Sequence, residues 1–582
     1  MAENEETAKG VSSGLQVELF HPESDREPGD RNIQRFGFDI HPIIFPVALG
    51  LIALFTVVTL LLGKEATNVY SSIRSFFEGN FGWFFLLSVN IFMLTILYFA
   101  LGKYGSIRIG GVDAEKEFSD FSWMAMLFSA GMGIGLMFYS VSEPLYYYGN
   151  VPGFFGYSAQ TGEAASAAIA QTFFHWGFHP WAIYGLVGLG LAFFSFNRGL
   201  PLTFRSIFWP LLGERIYGWP GHVIDLVTVF ATLFGLSTSL GLGVAQINTG
   251  LSYVGGNILG IANVPTGTVP QMILIAVITA IATASVAAGL DAGIKRLSTV
   301  NLYLMFTLLT FMILVGPTVY IFGTWVQGLG TYFGNFLSLS FFTATQGAGS
   351  ATVSGWTVFY WAWWIAWSPF VGMFIARISK GRTVREFVIG VLFLPSLFST
   401  IWLSTFGGSA LFNALRGNGQ ALAIYNEAGQ TVAMFALLEQ FPLGAISGGL
   451  ATLLVITFFV TSSDSGSLVV DHLTSGGKHD VPKTQRVFWA VTEGVVAALL
   501  LWGGGLNALQ TAAIATGFPL ALILVVMCFT VYQGLSNEYE IMQSQQFAER
   551  IQDRSSGTDS NVVTGGDVVA DGKGGADPES ID

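Results

Sequence analysis

Two tryptophan-rich runs hold the residues best suited to chemistry: Trp356-Thr-Val-Phe-Tyr-Trp-Ala-Trp-Trp-Ile-Ala-Trp367 and His175-Trp-Gly-Phe-His-Pro-Trp-Ala-Ile-Tyr184. Both lie in segments apolar enough to cross a membrane. Tryptophan in membrane proteins collects at the headgroup level, where the ring keeps one wet edge. Here the rings continue through the span, as the walls of a passage would. At about 100° per residue, Tyr360, Trp363, Trp364, Trp367 and Phe374 fall within roughly one third of a helix circumference, while Trp361 points elsewhere. Trp176, Trp181 and Tyr184 spread over about 140° of theirs, an angle that Pro180 loosens. Facing one another, the clusters form a cage. A quaternary ammonium suits bare aromatic faces: it is positive, has no N–H to satisfy, and its methyl shell fits the ring quadrupole. Any one ring is explained by packing against lipid or a neighbouring helix; the ensemble argues for the cage.

A second cluster is Phe458-Phe-Val-Thr461-Ser462-Ser-Asp464. Adjacent hydroxyls are the hard oxygen ligands that sodium prefers, and backbone carbonyls freed near Ser129 and Met132 would complete the shell. The alternative is hydroxyl back-bonding within the helix. Asp464 is an intramembrane acid and so a functional candidate, or else a carboxylate neutralised by its neighbours. His175 and His179 have the i, i+4 spacing of a metal pair, yet no motif supplies a third ligand. They are expected to hydrogen-bond across helices. The glycines of Gly131–Gly135 follow no strand and are no dinucleotide loop. Nothing points to a cofactor, to nucleic acid or to an enzyme.

These clusters need a membrane fold to position them. Of 582 residues, 52% are hydrophobic and 11% charged, against roughly a quarter charged in soluble chains. Twelve apolar runs approach the roughly twenty residues of a spanning helix: 41–62, 81–102, 123–146, 167–194, 223–251, 270–289, 300–322, 356–378, 384–412, 441–469, 486–504 and 509–533. Residues 1–39 form a polar, acidic tail without a cleavable signal. A transporter domain over 40–535 follows, then an acidic tail, 536–582, expected to be largely disordered. Lys and Arg gather in the loops that twelve spans place with the termini, so both termini are expected in the cytoplasm. Cys528, the single cysteine, is expected to be a packing residue.

Gly131-Met-Gly-Ile-Gly135 in span three and Ser368-Pro369 in span eight predict two interrupted helices, since glycine weakens a helix and proline removes a bond. Five spans apart, they predict an all-α membrane protein with two inverted five-helix repeats, spans 3–7 and 8–12, plus two peripheral helices. In such repeats sites form where helices break; close packing of small residues is the alternative. Residues 324–343 predict an amphipathic linking helix on the outer surface.

Trp356-Thr-Val-Phe-Tyr-Trp-Ala-Trp-Trp364, the following Trp-Ser-Pro-Phe-Val-Gly-Met-Phe374, Gly131-Met-Gly-Ile-Gly-Leu-Met-Phe-Tyr139 and Phe458-Phe-Val-Thr-Ser462 resemble the betaine/carnitine/choline transporters over roughly residues 38–540. Within that family the chain is most similar to sodium-coupled glycine betaine carriers. The resemblance implies a homotrimer in the plasma membrane, an aromatic box of Trp176, Trp181, Tyr184 and Trp364, and a central path lined by Trp363, Trp367 and Phe374, with Met132 and Gly135 also at the substrate. It implies a main sodium site on the carbonyls of Ser129, Met132 and Phe458 with the hydroxyls of Thr461 and Ser462. A second sodium site would use Thr232 and Phe370, but Leu236 stands where a second threonine is expected, so two-sodium coupling does not follow. Gly135 takes the place of an aspartate in proton-coupled choline members, which favours a zwitterion such as betaine. The expected activity is sodium-coupled uptake of glycine betaine or a related osmolyte, with choline or carnitine carriage by other coupling as the alternative. A membrane enzyme would need an acid or metal cluster at a membrane face, and a channel would not need two broken helices.

Overall fold

The computed structural model describes residues 27–130, 133–261, 264–287, 291–345, 353–478 and 480–556. By internal packing, residues 22–534 form one unit, which holds every site described below; residues 1–21 and 535–582 form another, of which 535–556 is described and helical.

The main unit is built of helices: α1 Ile44–Leu62, α2 Ala66–Leu101, α3 Asp120–Ala130, α4 Ile134–Gly149, α5 Gly162–Trp176, α6 Phe178–Phe196, α7 Trp219–Ser252, α8 Thr268–Ala287, α9 Asp291–Val315, α10 Thr318–Gly334, α11 Phe359–Ile378, α12 Val384–Arg416, α13 Gly444–Thr474 and α14 Lys483–Ser556. Among the described residues, nine helices are long and apolar enough to cross a membrane. Two of these runs, Ile44–Leu101 and Lys483–Ser544, reach 58 and 62 residues. The first bends at the turn Gly63–Glu65 and the second at Gly504 and Gly505, whose backbone is not helical.

Burial sorts these helices. The apolar window of Gly162–Phe196 is 94% buried and that of Gly355–Ile378 78%, against 22% for Thr268–Ser285 and 28% for Leu297–Val315. The helices bearing the tryptophans are therefore the core, and α8 and α9 turn apolar surface outward as lipid-facing helices do. α11 packs along α6, α13 along α7, and α12 crosses α4, α5 and α6.

The expected break in span three is present. α3 ends at Ala130, α4 starts at Ile134, and Gly133 between them is extended. The expected break at Ser368-Pro369 is not: α11 runs through Pro369 to Ile378. Proline deprives the Ile365 carbonyl of its helical donor, and the Ser368 hydroxyl donates to that carbonyl at 2.7 Å instead. Irregularity in this span lies earlier, in the π-helical turn Val353–Val358. A further break was not foreseen: Gly177 separates α5 from α6, and Pro180 falls in the first turn of α6, where its missing N–H costs nothing.

The linking helix starts at Thr318, ahead of 324, and stops at Asn335 before a short helix, Phe336–Phe341. The last helix runs on to Ser556, into the segment expected to be a disordered tail. Ahead of α1, the strands Ile33–Arg35 and Phe38–Ile40 form a hairpin. Asp39 pins it: its carboxylate accepts from Lys478 and Asn32, and its amide donates to Gln485 Oε1 at 2.9 Å.

Candidate functional site

The aromatic clusters meet around a cavity of about 50 Å³ lined by Gly135, Trp176, Trp181, Tyr184, Ser239, Trp363, Trp364 and Trp367. Its walls are set at right angles. Trp176 meets Trp364 at 86° with centroids 5.0 Å apart, Tyr184 meets Trp364 at 87° and 5.8 Å, and Trp181 meets Tyr184 at 79° and 5.3 Å. Such edge-to-face pairs are a preferred aromatic geometry.

Four indole N–H groups are tied up in the protein. Trp364 donates to the His175 carbonyl at 3.0 Å, a group freed by the Gly177 break. Trp367 donates to the Gly235 carbonyl at 2.9 Å, Trp363 to Ser239 Oγ at 3.2 Å, and Trp176 to Glu143 Oε2 at 2.9 Å. With their donors spent, these rings offer the cavity π-faces, which attract a cation that brings no donor of its own.

Glu143 was missed by sequence reasoning. Pro144 beside it reads as a helix end, but α4 continues to Gly149 and seals the carboxylate inside, fully buried. It accepts from Trp176, from the Tyr360 hydroxyl at 2.6 Å, and pairs with His175 Nδ1 at 2.6 Å. His175 Nε2 reaches Thr357 Oγ1 at 2.9 Å, in the π-helical turn. His179 Nε2 reaches Ser340 Oγ at 3.0 Å, and its ring stacks on Trp361. The histidines thus bond across helices, Trp361 faces away from the cavity, and the described residues contain no cluster able to hold a metal through three His, Cys, Asp or Glu side chains.

Gly135 is glycine because of space. A Cβ there would lie 2.5 Å from the Trp363 ring and 3.0 Å from that of Trp176.

A second cavity of about 170 Å³ shares Trp367 and Val371 with the first. It brings together Ser129, Phe370, Phe374, Phe458, Thr461 and Ser462, with Asn301 and Ser465. Phe374 therefore belongs to this cavity and not to the cage. Thr461 Oγ1 donates to the carbonyls of Thr457 and Phe458, at 3.0 and 3.2 Å, and accepts from Asn301 Nδ2 at 3.2 Å. Asn301 was also missed, although a lone amide in an apolar span was the available signal. Met132, assigned to both sites, lies outside the described residues. Thr232 is buried, donates to the Thr228 carbonyl at 2.8 Å, and lines neither cavity. Leu236 packs on Gly466 of α13.

The sequence profile described as "BCCT, betaine/carnitine/choline family transporter" matches residues 43–540. The chain is 46% identical to the glycine betaine transporter 1 of Vibrio parahaemolyticus, over 88% of this chain and 97% of that one. It is 43% identical to a probable glycine betaine transporter of Desulfitobacterium hafniense, over 85% and 97%. It is 44% identical to a second V. parahaemolyticus protein, a glycine betaine/proline/choline/ectoine transporter, over 88% and 91%.

Proposed function

Because the chain belongs to the betaine/carnitine/choline family of transporters, we propose that it takes up glycine betaine together with sodium, holding the trimethylammonium group in the box of Trp176, Trp181, Tyr184 and Trp364. The observation that carries this reading is that these rings line one cavity while the N–H groups of Trp176, Trp364 and Trp367 are bound elsewhere. A space of about 50 Å³ holds only a few waters, at roughly 10–15 Å³ each. Binding therefore requires the rings to part, Trp363 being the one pressed against Gly135.

Sodium would take the carbonyls of Ser129, Met132 and Phe458 and the hydroxyls of Thr461 and Ser462; the meeting of Ser129, Phe458, Thr461 and Ser462 in one wall supports that assignment. Trp367 stands between cage and sodium cavity, and Phe374 lines the route onward along α11. Leu236 stands where the second sodium position, Thr232 with Phe370, expects a second threonine, and it packs on Gly466, so one sodium ion is the coupling we infer. We read the 58- and 62-residue runs as two crossings each and the broken pair α3–α4 as one, for twelve spans in two inverted repeats. Both termini then face the cytoplasm, and the plasma-membrane assembly is a homotrimer. The broader substrate range named for the second Vibrio relative favours a second reading in which choline and ectoine also enter.

The test is uptake of radiolabelled betaine into proteoliposomes with and without an inward sodium gradient, against unlabelled choline, carnitine and ectoine. Sodium-driven accumulation that betaine alone competes for efficiently is the expected result. Accumulation indifferent to sodium would remove the coupling, and preference for choline or carnitine would replace the substrate.

A further inference from the structure

One buried acid has no part in either cavity. Glu493, on α14, is fully buried, and its Oε1 has no hydrogen-bond partner. Its other oxygen lies 3.5 Å from Ser463 Oγ of α13. Ser237 of α7 donates its hydroxyl to the Glu493 backbone carbonyl at 3.3 Å. Thr279 of α8, buried and also without a partner at Oγ1, presses on the neighbouring Gly494. Asp464, nearly as buried, is within electrostatic reach of the carboxyl. Three helices thus close on this segment of α14, α13 at the Glu493 side chain, α7 at its backbone carbonyl and α8 at Gly494, and among the described residues no direct ion pair neutralises the carboxyl.

An ionised carboxylate in such a place costs several kcal/mol unless paired, and a second acid nearby adds repulsion. A bound cation removes both costs. A metal ion would need a shell of oxygens with free lone pairs close in, whereas the nearest hydroxyl stands off at 3.5 Å and that of Ser237 is turned to a backbone carbonyl. A proton needs one oxygen. We propose that Glu493 is the site of an exchangeable proton that travels with the substrate, in place of a second sodium ion.

Position ties this site to transport. Ser463 follows Thr461 and Ser462 directly on α13, and on α7 Ser237 follows Leu236, the residue that stands where a second sodium site expects a threonine. Ser465, two residues further along α13, lines the proposed sodium cavity. Among the described residues, the charged group acting on Glu493 is Asp464 on α13; Asp471, further along α13, interacts with Arg486 of α14, which also acts on Arg377 of α11. Ser237 and Thr279 are the polar groups presented by α7 and α8. The inference rests on the transport reading, since a proton can be coupled only to something carried.

The experiment uses the full chain in proteoliposomes loaded with a pH-sensitive dye, at saturating sodium. Betaine added outside should acidify the lumen of wild-type vesicles, and uptake should fall by about tenfold from mildly acidic to mildly alkaline pH, as loss of a required proton predicts. Glu493→Gln should keep sodium-dependent uptake while losing the acidification and the pH dependence. Wild-type uptake without acidification would overturn the inference and leave the transport reading standing. Acidification undiminished in Glu493→Gln would also overturn it, as would a raised sodium requirement in that variant, which would make the site one for sodium. Wild-type vesicles that take up no betaine would overturn the transport reading and this inference with it. Should the glutamine variant not fold, infrared difference spectra of the wild type decide: a carboxylic-acid carbonyl band that shifts on adding betaine and sodium is expected, and its absence overturns the assignment.

Discussion

Glu143 supplies what the aromatic residues cannot supply for themselves, a fixed orientation. A tryptophan ring in a cage is useful only if its face stays turned inward, and its single N–H is the handle by which it is held. The carboxylate grips Trp176 by that handle and Tyr360 by its hydroxyl, with His175 on the other oxygen. Glu143→Gln offers one acceptor oxygen where two served, so one of these bonds is lost. A hydrogen bond to a charged group is worth about 1.5–3 kcal/mol, and betaine affinity is expected to fall by roughly tenfold or more, read by tryptophan-fluorescence titration of the purified variant. Unchanged affinity would show that the box stands without Glu143. Trp364→Leu removes a wall outright and should weaken binding by at least the roughly 0.5–2 kcal/mol of one cation–π contact; a wild-type titration curve would remove Trp364 from the site. At Gly135 even alanine is too large, because its Cβ would sit 2.5 Å from the Trp363 ring. The rings were legible in the sequence because residue type and helical spacing are both printed there. Glu143 was not, because Pro144 mimics a helix end and only the packing of α5 and α12 over α4 shows that the carboxylate is sealed in.

At the scale of elements, sequence reading found the breaks it could see as glycine and misjudged the one it saw as proline. Gly131-Met-Gly-Ile-Gly135 offers the helix nothing to replace its lost order, and α3 gives way to α4 there. Ser368 repairs what Pro369 damages, so α11 stays whole and carries Trp363, Trp364, Trp367 and Phe374 in unbroken register from cage to sodium cavity. Ser368→Ala leaves the buried Ile365 carbonyl without a donor, at a cost of about 1–3 kcal/mol. A lower melting temperature in detergent is expected, with reduced uptake from a helix kinked at 369; a variant as stable and active as the parent would mean that the carbonyl finds another partner. The Gly177 break was hidden because one glycine among aromatics resembles packing. The N-terminal hairpin has a pH dependence of its own. Burial pushes the Asp39 carboxyl upward, but hydrogen bonds from Lys478, Asn32 and Gln34 outweigh it and hold it below the usual carboxylate range. A depressed value means that the stabilisation is present above the unfolded carboxyl's value, near 3.9, and is lost as pH falls through the folded one. Hydrogen exchange of residues 33–40 should therefore be slow at neutral pH and quicken in acid, and Lys478→Ala should show the fast behaviour already at neutral pH. Exchange in that variant as slow as in the parent would discharge Lys478 from this role.

Across the whole molecule, the cage and the proposed sodium cavity adjoin, sharing Trp367 and Val371 of α11. On the proposed reading, coupling is a matter of shared walls: an ion drawing α13 toward Ser129 would bear on Trp367 and Val371, which also line the cage. Thr461 and Ser462 are the proposed points of contact. Thr461 spends its proton on helix carbonyls and accepts from Asn301, which leaves one oxygen lone pair for a cation. Thr461→Ala with Ser462→Ala removes both hydroxyls, and hard oxygen ligands in a closed cavity are not readily replaced by water. Half-maximal uptake should then require a sodium concentration higher by about tenfold or more, the equivalent of roughly 1.4 kcal/mol, while betaine affinity at saturating sodium changes little. The measurement is initial uptake into proteoliposomes against external sodium, with membrane potential clamped so that charge movement does not alter the driving force. A sodium curve identical to the parent's would place the coupling ion elsewhere, and a parallel loss of betaine affinity at saturating sodium would show that these hydroxyls shape the cage and not the ion site.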